Sequence, residues 1–232
     1  EARPIDLVLV ASDQDHGPGE HDYPAWQKRW AELLRGVSGV RVSTASGWPS
    51  REQWDGAEAV VFYFWNHEWS RERLKDLDDF LARGGGAVFL HSATIADQDP
   101  EVLAERLGLA AQPVRTKYRH GPVDLKVTAP EGHPVSIGVK GFHLVDETYW
   151  PMIGDPSRVT VLATAEEERK PWPMLWTFER GKGRVFCSIL GHYSWTFDDP
   201  FFRILVLRGI AWAAGEPSRR FDGLATVGVS LK

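Results

Sequence analysis

Three short runs of the sequence are apolar almost without interruption: "IDLVLVAS" from Ile5, "AEAVVFYFW" from Ala57 and "AVFL" from Ala87. A strand with one face in water alternates polar and apolar residues, so runs of this kind suit strands covered on both faces, as in parallel sheets. The segments between them carry the complementary pattern. "PAWQKRWAELLRGV" places Trp26, Trp30, Leu33, Leu34 and Val37 on one helical stripe, with Pro24 suited to the first turn. Ser70 is positioned to cap "RERLKDLDDFLAR", whose Leu74, Leu77, Phe80 and Leu81 form a face that stops at Gly84, Gly85 and Gly86. "GVRVSTAS" reads as another strand and "DPEVLAERLGL" as a short amphipathic helix. The alternation predicts a mainly parallel sheet with helices on both faces.

From about residue 112 to residue 173 the character changes. Proline becomes frequent, and "VDLKVTA", "FHLVDETYW" and "VTVLATA" are strand-like with little helix between them, which predicts a β-rich excursion over the sheet edge. "PMLWTFERGKGRVFCSIL" then reads as a hairpin. Asp199 and Pro200 open a closing helix, "FFRILVLRGIAWAAG", with Phe201, Leu205, Ile210 and Trp212 to bury. With 232 residues, 43% of them hydrophobic, the chain can bury a sizeable core, and a single domain over 1–232 is expected.

Composition removes several function classes. A formal net charge of −5, from 27 basic and 32 acidic residues, leaves no basic stripe for a nucleic-acid backbone. The apolar runs are too short to cross a bilayer, so a soluble chain without membrane insertion is expected, either cytoplasmic or exported with its signal removed. Neither G-x-G-x-x-G nor a P-loop is present, so no nucleotide cofactor is expected; H-E-x-x-H on a helix and a serine nucleophile elbow are missing too. The single cysteine, Cys187, lies among Val185, Phe186 and Ile189 and reads as a buried, inert thiol.

What remains is a pattern of histidines. In parallel α/β sheets, function gathers in the loops leaving the carboxyl ends of the strands. The first strand runs into "DQDHGPGEHDY" with His16 and His21, the second apolar run into Asn66, His67 and Glu68, "AVFL" into His91, and "VFCSIL" into Gly191 and His192. Five of the eight histidines therefore fall at one edge of the sheet. "FHLVDETYW" brings Asp146, Glu147 and Tyr149, and Glu147 would meet these imidazoles if the excursion folds over that edge. A carboxylate among imidazoles suits a divalent metal or an acid/base pair. His120, His133 and His143 read as structural.

The chain resembles the ThuA-like (trehalose utilisation) family within the class I glutamine amidotransferase-like superfamily. The resemblance rests on "HDYP" at residues 21–24, "GGGAVFLHSA" at 84–93, "GHP" at 132–134, "DETYW" at 146–150, "GKGRVFCSILGH" at 181–192 and "RGIAWAAG" at 208–215. It implies a three-layer, flavodoxin-like α/β core with a β-rich insertion. In the glutaminase relatives the strand ends in an elbow bearing a nucleophilic cysteine, whereas here that place reads Leu90, His91, Ser92, so thioester chemistry lacks its thiol.

The resemblance implies a carbohydrate-processing protein acting on a trehalose-like sugar or keto-sugar. His91, His192 and Glu147 are the expected catalytic groups, with His16, His21, Tyr149, Trp65 and Trp195 against the substrate and Trp150 as a further stacking surface. His21, His91 and His192 are candidate ligands for zinc, manganese or nickel. Two alternatives stay open, a non-catalytic sugar- or partner-binding module and a hydrolase using metal-activated water; the small-molecule carbohydrate partner is compatible with a homo-oligomer.

Overall fold

The computed structural model describes residues 3–229. In chain order its elements are β1 (Ile5–Ala11), α1 (Tyr23–Arg35), β2 (Val40–Ser46), α2 (Arg51–Gly56), β3 (Ala59–Tyr63), α3 (Arg71–Ala82), β4 (Gly86–Leu90) and α4 (Pro100–Leu107). There follow β5 (Leu109–Ala110), β6 (Lys117–Val127), β7 (Gly141–Trp150), β8 (Ile153–Gly154), β9 (Thr160–Glu167), β10 (Lys170–Arg180), β11 (Gly183–Ser188) and α5 (Pro200–Ala213). Nine strands form one sheet in the order β2-β1-β3-β4-β11-β10-β9-β6-β7, and β5 pairs separately with β8.

The architecture is mixed α/β with helices on both sides of a large sheet. β2, β1, β3, β4 and β11 run parallel, whereas β10, β9, β6 and β7 join antiparallel. The two regimes meet at β11, parallel to β4 and antiparallel to β10. β3 and β4 are buried at every position, the burial their unbroken apolar sequences require. On β11, Phe186 packs against Gly209 of α5 while its neighbour Cys187 faces Leu107 of α4, which sets these helices on opposite faces. A Cβ at Gly209 would lie 2.5 Å from the Phe186 ring, so α5 reaches the sheet only because residue 209 lacks one.

The helix ends follow their caps. Asp22 and Ser70 accept from Ala25 N and Arg73 N, and Asp199 accepts from the N–H groups of Phe201 and Phe202. One expected contact falls elsewhere, and one helix is unforeseen. In α5 Leu205 and Ile210 are buried as expected, but at the first turn it is Phe202 that is fully buried and Phe201 that is 53% exposed. The six-residue α2, with a capping box between Ser50 and Gln53, was not expected at all. Among the described residues no helix is long and apolar enough to cross a membrane.

Candidate functional site

The sheet delivers its polar residues to one place. β4 ends at Leu90, and the chain turns at His91 with φ +53°, a left-handed conformation that costs energy for a residue with a Cβ and drives the imidazole off the strand end into the interior. His91 is fully buried. β11 leads through Ile189 and Leu190 to Gly191 and His192; Gly191 has φ +130°, and a Cβ there would press on Phe197 at 3.0 Å. Only glycine serves at that position. The loop after β1 is stitched to this second exit: His21 N–H donates to His192 O at 2.9 Å, and Ser194 N–H to Gly19 O at 2.9 Å.

β7 supplies the acids. Asp146, fully buried, accepts from the backbone N–H groups of Gly191 at 2.8 Å and His192 at 2.9 Å, so its carboxylate fixes the β11 exit; burial pushes its carboxyl up. Glu147 points into the histidines. Its Oε2 lies 3.3 Å from His91 Nε2 and 3.1 Å from His192 Nδ1, and it accepts from the Tyr149 hydroxyl at 3.0 Å. His91 Nε2 is also 2.9 Å from His21 Nε2, 3.2 Å from His192 Nδ1 and 3.2 Å from the Tyr149 hydroxyl. One donor atom each from His21, His91, Glu147 and His192 thus lies within 4.8 Å of every other.

Two rings have their tautomers set from behind. His91 Nδ1 lies 2.6 Å from the carbonyl oxygen of Ile189, an acceptor only, so it carries the proton and leaves Nε2 facing the cluster. His21 Nδ1 lies 2.7 Å from Asp15 Oδ1 and 2.8 Å from the Tyr23 hydroxyl, which is itself 2.7 Å from Ser92 Oγ. Burial pulls the His21 imidazole down to about 4. At His91 burial pulls the same way, but the Glu147 carboxylate outweighs it and raises the ring above 6.5. Burial also opposes the charge of Glu147, yet the hydrogen bonds of His192 and His91 hold its carboxyl well below the usual carboxylate range.

A cavity of about 270 Å³ opens onto this cluster, walled by Trp65, Ile95, Gln112, Pro113, Tyr118 and Tyr149, with His21, Glu147 and His192 at its polar end. His16 lies on its rim, 2.7 Å from Asp15 Oδ1, and Trp65 is anchored by its indole N–H on Asp97 at 3.1 Å. Three expectations are corrected. Trp195 does not line the cavity: it is 50% exposed, stacks on Tyr193 at 4.2 Å and donates to Val145 O, because the turn after His192 carries it outward. Trp150 is buried on β7 away from the cavity, and His67, bound to Asp97 at 2.8 Å, lies outside it.

His120, expected to be structural, belongs to the site. It faces Glu147 across the β6–β7 ladder, 3.2 Å from Oε1, with its Nδ1 2.9 Å from the Tyr193 hydroxyl. Only the pairing register of that long hairpin brings it there. Tyr23 of "HDYP" and Asp146 of "DETYW" hold the site together, as does Asp15, which no motif marks. His133 and His143 stay apart, the latter 84% exposed beside Asp124. Cys187 lies buried in β11, and burial pushes its thiol well up.

The family model that matches residues 8–213 is ThuA, described as trehalose utilisation. No curated protein matches in sequence. Among solved structures, a ThuA-like protein from Parabacteroides merdae is 23% identical with a TM-score of 0.69, over 93% of this chain and 92% of that one. A ThuA-like protein from Bacteroides uniformis is 16% identical with a TM-score of 0.73, over 92% of each chain. A β-galactosidase from Bacillus circulans is similar over 94% of this chain but only 32% of its own, at 14% identity and a TM-score of 0.62. These likenesses concern the fold.

Proposed function

Because the chain belongs to the ThuA family, matched over residues 8–213, we propose that it processes a carbohydrate, a trehalose-like sugar or an oxidised keto-sugar, in the histidine-ended cavity. The observation that carries this reading is the cavity itself: aromatic walls from Trp65, Tyr118 and Tyr149 lead to a buried end where Glu147 and three imidazoles converge. Apolar faces suit the C–H faces of a sugar ring, and the polar end suits its hydroxyl or carbonyl oxygens. Glu147, held ionised, is the negative charge of that end, and the Tyr149 hydroxyl donates to it.

Amide hydrolysis by a cysteine is not part of this reading, because the elbow position holds His91 and Cys187 is sealed inside β11. The parallel order β2-β1-β3-β4-β11 supports a flavodoxin-like core for the same protein, with the antiparallel strands as its extension.

The test is incubation of the full chain with trehalose, other glucosides and their keto derivatives, products being followed by NMR, with His91→Ala beside it. Turnover that falls by roughly 100-fold or more in the variant is expected. Saturable binding without turnover would make the protein a sugar-binding module, and neither binding nor turnover of any sugar would end the proposal.

A further inference from the structure

We infer that His21 Nε2, His91 Nε2, His192 Nδ1 and Glu147 Oε2 form a mononuclear centre for a divalent first-row transition ion at the end of the cavity. The spacing of the donors is the main argument. Bonds of about 2.0–2.2 Å, usual for imidazole and carboxylate on such ions, set neighbouring donor atoms about 2.9 Å apart at right angles and about 3.4 Å apart at the tetrahedral angle. The separations here are 2.9 Å between His21 and His91, 3.2 Å between His91 and His192, 3.3 Å between His91 and Glu147, and 3.1 Å between His192 and Glu147. These four separations match the edges of a coordination polyhedron.

The ring orientations point the same way. With Nδ1–H of His91 on the Ile189 carbonyl and Nδ1–H of His21 on Asp15, both Nε2 atoms face one another across 2.9 Å. Two nitrogens so placed share a cation between them, a proton on His91 when no metal is present and a divalent ion when one is bound. Imidazoles that ligate metals are oriented by an outer oxygen in this manner, either a backbone carbonyl or a carboxylate. The donor set, three nitrogens and one carboxylate oxygen, suits zinc, nickel or manganese and disfavours magnesium or calcium, which take oxygen ligands.

When bound, the ion would polarise a sugar oxygen at the cavity end. Glu147 then has one oxygen engaged and the other, Oε1, on His120 at 3.2 Å, so His120, with His16 on the rim, faces the cavity without being a ligand. The inference shares its cavity with the carbohydrate reading but is measured without any sugar, so either can fail alone.

The experiment uses the full, tag-free chain, stripped with a chelator and titrated with Zn²⁺, Ni²⁺, Mn²⁺ and Co²⁺. One equivalent per chain by elemental mass spectrometry, a visible Co²⁺ ligand-field band and a raised Tm are expected. Affinity should fall about 100-fold or more in His91→Ala and about 10- to 100-fold in Asp15→Asn, which touches no ion but frees the His21 ring. His143→Ala, at an exposed site on β7, should bind as the parent does. Should His91→Ala fail to fold, X-ray absorption of the zinc-loaded parent decides, since it must show imidazole scattering from more than one ring. No stoichiometric binding, undiminished binding in a folded His91→Ala, equal affinity for Mg²⁺, or a zinc shell without imidazoles would each overturn the inference.

Discussion

At the scale of single residues, the site sets two histidines, their Nε2 atoms 2.9 Å apart, in opposite electrostatic situations. In the metal-free protein His21 is held neutral by burial, its pKa lowered from 6.5 to about 4, and His91 is held charged by Glu147, above 6.5. The signs follow from linkage. Between about pH 4 and 6.5 the unfolded chain binds a proton at His21 that the folded one refuses, so this residue's contribution is full above 6.5 and lost as pH falls toward 4, a difference of about 3 kcal/mol. For His91 the folded state holds the proton more tightly, so its contribution is full below 6.5 and lost as pH rises through the folded value. Ring proton NMR titration of the metal-free chain should find His21 neutral at pH 5.5 and His91 charged at pH 6.5; a His21 titrating at or above 6.5 would contradict the burial assigned to it.

At the scale of elements, the separate strand ends become one site through Asp146, whose carboxylate ties β7 to the β11 exit by two backbone N–H bonds. Charge-assisted hydrogen bonds to buried donors are worth about 1.5–3 kcal/mol each. Asp146→Ala should therefore destabilise the protein by about 3–5 kcal/mol in urea unfolding and release His192, and a loss below about 1 kcal/mol would mean that the loop holds itself. How much of this was legible in the sequence divides by range. Ser70 and Asp199 cap the helices they were expected to cap, since caps and 3.6-residue stripes are written within a few residues. His21, His91 and His192 could be read as candidates because strand ends in an α/β sheet are predictable places. His120 could not, because its meeting with Glu147 depends on the register of β6 on β7, set by residues far apart in sequence. Trp195 misled for a related reason: nearness to His192 in sequence says nothing about which way the following turn carries an indole.

For the whole molecule, β11 is the fifth of nine strands and the seam between the parallel and antiparallel halves. Cys187 lies in it, fully buried, so a thiol reagent reaches the sulfur only when the sheet opens as a whole. Alkylation of native protein should be no faster than global unfolding followed by denaturant jump, and labelling within the mixing time would show that the seam opens independently. The same seam fixes when the site comes into being. Its clustered groups begin at His21 and end at His192, and the last of them follows the strand that joins the two halves. A chain emerging from synthesis carries an incomplete set of donors until β11 has been made and inserted at the middle of the sheet, so capture of a ligand there reports that the topology has closed.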